Sequence, residues 1–273
     1  MPGRAFAVGM VVAAILGYGS AGRAQAAAAP AGALPAVSGA TVMSPPAGAD
    51  ARFVEAMAAY RERARMERHR DAWEAFARLA TERPDDHGMQ IWCARTSFYY
   101  AHRKVQAGDK EGCARVAKAG IECARRAQQI RPGDYDGRYW ELMNRYKEGA
   151  TLSLVSILKA VKPIRGWLED LIARDPERPE GHVFLAMAYR ELPSVVSWGD
   201  NRKALEHARE AERLAPRDPE VLLELAECLR ENGQKESARE FYRRVATSDV
   251  PRDLEWETED ARAWARKQLA GMD

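Results

Sequence analysis

Between Pro219 and Val250 the apolar residues fall on two short helical faces. Leu222, Leu225, Ala226 and Leu229 are spaced i, i+3, i+4, i+7, and Ala238, Phe241, Tyr242 and Val245 repeat that spacing after a break at Gly233. Such spacing puts each set on one side of a 3.6-residue helix. From Asp50 onward strand-like alternation is absent, and the chain reads as helix, short break, helix, repeated. The breaks fall at Arg83-Pro84-Asp85, Arg131-Pro132-Gly133, Asp175-Pro176 and Ala215-Pro216-Arg217-Asp218-Pro219. Proline ends a helix there because it lacks the amide hydrogen that a helix interior needs.

The same order returns upstream with larger units. Leu185, Ala186 and Tyr189 predict one helix, and Ala204, Ala208 and Ala211 its partner. The two are separated by the long loop Leu192-Pro193-Ser194-Val195-Val196-Ser197-Trp198-Gly199-Asp200, with Asp200 as the N-cap of the next helix. Further back, helices are expected at 88–106 with 109–131 and at 135–158 with 163–174, after a first unit holding Ala72 and Phe76. Arg252 to Leu269 is expected to cap the array.

With Pro219 as position 1, Ala226, Leu229, Ala238, Tyr242 and Val245 occupy the alternating small and large sites of a 34-residue helix-turn-helix unit. This pattern resembles the tetratricopeptide (TPR) repeat, and the fold expected is all-α: a TPR-like solenoid of antiparallel helix pairs over residues 50–273. A wider resemblance covers residues 85–270. It is carried by Tyr139-Trp140, Asn144-Arg145, Lys159-Ala160-Val161-Lys162-Pro163-Ile164, Asp175-Pro176 and Trp198-Gly199-Asp200 followed by Lys203-Ala204-Leu205. That layout is similar to the T-component family of TRAP transporters. The resemblance implies a periplasmic helical-repeat protein that pairs with a substrate-binding protein or holds an apolar small ligand.

The N-terminus sets the expected compartment. Arg4 precedes an apolar run from Ala5 to Leu16, and Ala24-Gln25-Ala26 offers a small-residue cleavage site before Ala27. This is the layout of a secretory signal peptide over residues 1–26. Residues 27–49 hold Pro30, Pro35, Pro45 and Pro46 and no charge, which reads as a disordered linker. The chain carries 42 basic and 40 acidic residues. Since Arg4 and Arg23 fall in the leader, the mature remainder balances at 40 of each. Interspersed neutral charge gives no grip on phosphate backbones, so nucleic acid is not an expected partner. No later segment is apolar enough to span a bilayer.

No catalytic, cofactor or metal site is expected. His69, His87, His102, His182 and His207 lack the spacing of a ligand set. Cys93, Cys113, Cys123 and Cys228 form no CxxC. Export permits a disulfide between Cys93 and either Cys113 or Cys123, while the same residues also suit small core positions. The candidate contact residues are aromatic. Trp92 and Tyr99 share one helix face, Tyr139, Trp140 and Tyr146 lie on another helix, and Trp198 sits in the long loop. They line either a partner groove or the space between long helices. The function expected is binding of an unidentified protein or peptide.

Overall fold

The computed structural model describes residues 50–149, 154–192, 194, 197–249 and 255–272, and within them it is helical without strands. Eleven helices follow in order: α1 Ala51–Arg61, α2 Met66–Glu82, α3 His87–Gln106, α4 Lys110–Ile130, α5 Tyr135–Gly149, α6 Leu154–Arg174, α7 Pro179–Glu191, α8 Asn201–Leu214, α9 Pro219–Glu231, α10 Lys235–Ala246 and α11 Glu255–Ala270. The expected leader and linker lie outside the described residues. The contacts gather into two compact units, one within Val42–Trp167 and one from Leu168 to Asp273.

Aspartates start most of these helices. Asp50, Asp86, Asp109, Asp200 and Asp218 each accept a hydrogen bond from a first-turn amide, and Asp134 accepts one from Gly137 at 2.7 Å. A first-turn N–H has no partner inside its own helix, so each such bond contributes about 1 kcal/mol. Pro179 and Pro219 open α7 and α9, where the missing amide costs nothing. Gly233 ends α9 with φ of 76°, a left-handed conformation that a side chain would strain.

In each unit, consecutive helices pack as hairpins and the first helices of successive pairs also meet: α3 with α5, and α7 with α9 and α9 with α11. The small sites named from the sequence are buried, with Ala186, Ala204, Ala208, Ala226 and Ala238 all fully enclosed, as are Tyr242 and Val245. Ala72 and Phe76 occupy the same role in the first unit.

One expected boundary moves. The sequence suggests a helix over 135–158 ending before Pro163, but α5 stops at Gly149 and α6 carries Pro163 in its interior. An interior proline removes one backbone hydrogen bond at a cost of about 3 kcal/mol. Leu168 and Leu171 further along the same helix are fully buried.

A covalent and a steric contact fix the middle of the first unit. Cys93 of α3 and Cys123 of α4 form a disulfide with Cα atoms 6.0 Å apart, which settles the pairing left open by the sequence; Cys113 and Cys228 are buried free thiols. Gly120 of α4 faces Asn144 of α5 so closely that an added Cβ would lie 2.2 Å from the amide oxygen. Asn144 has little room to retreat, because its amide nitrogen donates to the carbonyls of Ala94 and Trp140, each at 2.9 Å.

Two outcomes follow. Gly120→Ala lowers the unfolding free energy by about 1–3 kcal/mol, the usual cost of overpacking a closed contact, measured by urea denaturation of the oxidised protein. Cys93→Ser releases a closure of 30 residues and lowers stability by about 3–4 kcal/mol in the same assay. A Gly120→Ala variant as stable as the parent would show that α4 and α5 are not held at this distance.

Candidate interaction surface

In the unit within Val42–Trp167, α1, α3 and α5 bring the predicted aromatics together, but inside the protein. Trp92 stacks on Phe76 at 5.0 Å and meets Tyr60 at 5.3 Å; Tyr99 meets Trp140 at 6.0 Å, and Trp140 meets Tyr139 at 4.9 Å. Trp92 is 5% exposed, Tyr99 and Tyr139 0%, and Trp140 2%. These four rings are therefore packing groups in this structure rather than a free binding face. Sharing one face of a helix is equally the signature of a core stripe, and α3 is buried around much of its circumference. Tyr146 is partly exposed, with the Lys147 ammonium 4.8 Å from its ring.

Cations thread this aromatic interior. The Arg95 guanidinium donates to the Tyr60 hydroxyl at 3.1 Å and lies 5.1 Å from the Trp92 ring and 5.9 Å from Trp140. The Arg63 guanidinium lies 4.2 Å from the same Tyr60 ring. Ring faces carry negative charge, so they stabilise desolvated guanidinium groups. Lys147 Nζ lies 2.9 Å from His102 Nδ1. Burial, reinforced by Lys147 and Arg103, holds the His102 pKa well below its usual value. Burial with Arg63 and Arg103 lowers His69 to about 3. Both imidazoles stay neutral at pH 7.

The unit from Leu168 to Asp273 has carboxylates in the corresponding helices. Glu220, Glu224 and Glu227 recur at i, i+4, i+7 along α9 and are all buried. Glu224 accepts two bonds from Arg190 of α7, at 2.9 and 3.0 Å. Glu227 Oε1 accepts from the Tyr242 hydroxyl of α10 at 2.9 Å and from the Trp264 indole of α11 at 2.8 Å, while its other oxygen receives Arg230 at 2.9 Å. One carboxylate thus ties three helices. Burial would raise the Glu227 pKa, but Arg190, Arg230 and the Trp264 N–H outweigh it and hold it low. Sequence reasoning missed this cluster, although the i, i+4, i+7 glutamates between leucines were the signal for it.

Glu191 balances the other way. Arg190 donates to it at 3.1 Å, yet burial and the negative charges of Glu224 and Glu227 raise its pKa to about 7. Cys228 beside Glu224 is pushed well above the usual thiol range by burial and that carboxylate. Burial raises Cys113 to about 11. Neither thiol is a nucleophile at pH 7. Trp198, the remaining predicted aromatic, is half-buried against Tyr189 at 5.0 Å in a T-shaped contact. Among the described residues no three His, Cys, Asp or Glu side chains converge as a metal site, and no helix is long and apolar enough to cross a membrane.

Residues 198–258 match the tetratricopeptide repeat. The fold is similar to the crystal structure of a thermophilic TPR protein of Thermus thermophilus, at 17% identity and a TM-score of 0.57, covering 81% of this chain and 98% of that one. A MamA RS-1 ArsTM double mutant aligns at 14% identity and a TM-score of 0.41, covering 81% of this chain and 98% of that one. No curated protein matches the chain. The Thermus likeness supports the all-helical TPR-like fold.

The raised pKa of Glu191 sets a pH dependence. Its folded pKa of about 7 exceeds the ordinary 4.5, so the folded chain binds the extra proton between those values. The stability this group contributes is complete below the lower value and is lost as the pH rises through the upper one. Glu191→Gln removes the loss. Its stability advantage over the parent is expected to widen by about 2–3 kcal/mol from pH 5 to pH 8, read from urea midpoints. A constant difference across that range would mean Glu191 titrates as an ordinary carboxylate.

Proposed function

We propose that this chain is an exported TPR-type scaffold that binds a protein or peptide partner in the periplasm. The observation that carries the reading is the stack of tetratricopeptide helix pairs. A helix pair cannot bury its apolar face alone, and stacking leaves a row of first helices with side chains to offer a partner. Among the described residues the exposed large hydrophobics are Val54 and Met66, so recognition would draw on charged and half-buried aromatic groups rather than on an oily patch. Of the six aromatic candidates, Tyr146 and Trp198 retain exposed surface and are the ones proposed to meet a partner. The signal-like N-terminus supports export, and the Cys93–Cys123 disulfide suits an oxidising compartment.

A second reading makes the chain an accessory of a TRAP-type transport system, with a substrate-binding protein as partner. It rests on the residue order described above, including Gly199-Asp200-Asn201-Arg202-Lys203-Ala204. Asp200 caps α8 through the amides of Arg202 and Lys203 at 3.0 and 3.3 Å.

Expression of the full chain in a Gram-negative host, followed by N-terminal sequencing of the periplasmic fraction, is expected to read from Ala27, with two free thiols per molecule after denaturation. Crosslinked capture from periplasmic extract is expected to yield a protein partner. Trp198→Ala or Tyr146→Ala should weaken its binding by about 1–2 kcal/mol. Recovery of uncleaved, cytosolic protein with four free thiols would overturn the export reading. A partner bound equally by both variants would remove these aromatics from the interface, and a captured TRAP-type binding protein would favour the second reading.

A further inference from the structure

The loop between α7 and α8 leads into a column of rings built on the buried repeat position Tyr189. Trp198 packs edge-on against Tyr189 at 5.0 Å. Tyr189 stacks on His207 with centroids 5.7 Å apart and planes 9° from parallel. His207 then meets His182, with centroids 5.3 Å apart and the two Nδ1 atoms separated by 3.1 Å. The Asp200 amide closes the loop by donating to the Tyr189 carbonyl at 2.9 Å. His182 comes from α7 and His207 from α8, and both are half-buried, within reach of solvent.

We propose that His182 and His207 form a binding site for a divalent transition-metal ion of the zinc or copper class. Two nitrogens held about 2.0–2.1 Å from one tetrahedral ion stand roughly 3.3 Å apart, within a few tenths of an ångström of the spacing seen here. The ion replaces the hydrogen shared between the two Nδ1 atoms. The imidazole that carried it becomes the Nε2–H tautomer, so no net proton is released by the neutral pair. The stack on Tyr189 fixes the His207 ring, as a supporting partner must if a ligand is to be preorganised.

Both rings reach solvent, so an ion can enter between them, and neutral imidazole is the form that binds it. Glu210 lies one turn beyond His207 on α8 and close enough for its charge to act on His182. Arg213 holds both of its oxygens, at 2.7 to 3.1 Å, so the two imidazoles are the protein ligands and water fills the remaining positions. The thiols do not compete. Cys93 and Cys123 are bonded to each other, and Cys113 and Cys228 are buried with raised pKa values.

The test is titration of the chelator-treated full chain with zinc chloride and with copper(II) chloride at neutral pH, followed by calorimetry and, for copper, electron paramagnetic resonance. The expected result is one saturable site, tighter for copper than for zinc, with nitrogen ligands in the copper spectrum. His182→Gln and His207→Gln should each weaken binding by about tenfold or more, with circular dichroism confirming that both variants fold. His87→Gln, in the other unit, should leave it unchanged. No saturable binding, or equal binding by the His182 and His207 variants, overturns the proposal.

Discussion

The structure depends on small side chains at the places where helix backbones approach. Ala72, Ala117, Ala124, Ala208 and Ala238 are fully enclosed, as are Ala94, Ala186 and Ala226 on the helices that face them. A methyl group there lets two helices close far enough for the larger neighbours to interlock, and interiors packed this densely have no slack for a longer side chain. Gly120 takes the rule to its limit, since even a methyl group would strike Asn144. Close approach decides which residues can be large. Phe76, Tyr99, Trp140 and Tyr242 fill what the small sites leave open.

Helix length then separates the two units. α3 and α4 run for 20 and 21 residues, against 13 and 12 for α9 and α10. Longer helices diverge over more of their length, and the first unit fills that space with rings and with guanidinium groups lying on them. The second unit is nearer the standard repeat and buries a row of carboxylates along α9, with Arg190 and Arg230 bonded to two of them. A buried ion pair gains little net stability, because desolvation consumes most of the attraction. Its geometry is demanding, however. Glu227 bonds to α10 and α11 while Glu224 bonds to α7, and these bonds are lost if α9 slides along its neighbours. The observed register of α9 is the one in which all of these bonds form together.

Legibility in the sequence follows from the same physics. Ala226, Leu229, Ala238, Tyr242 and Val245 were readable because helical spacing and residue size are both local properties. The cap at Asp200 was readable because a capping bond spans only two or three residues. The aromatic stripe was ambiguous because a helix face turned to a partner and one turned to the core share a single periodicity. Burial on the remaining sides of α3 resolved it, and burial is a property of the assembled fold. Pro163 misled because proline weakens a helix without forbidding it when the packing energy is large enough. The pairing of Cys93 with Cys123 rather than Cys113 required the register of α3 against α4, which no spacing within one helix contains.

A repeat fold makes departures from the repeat informative. Positions that follow the pattern are accounted for by stacking, whereas the loop ahead of α8 is longer than a helix hairpin needs. Extra chain in a turn costs little, because closure entropy grows only with the logarithm of loop length. Such a loop can therefore acquire a task without disturbing the stack. Here it supplies Trp198 to Tyr189, and Tyr189 in turn orders His207 against His182. Tyr189 is itself a buried repeat position beside the enclosed Ala186, Ala204 and Ala208, and Trp198 is what the longer loop adds to it. The ring column thus joins a loop residue to a position of the repeat, and specific chemistry in this protein is best sought where such additions occur.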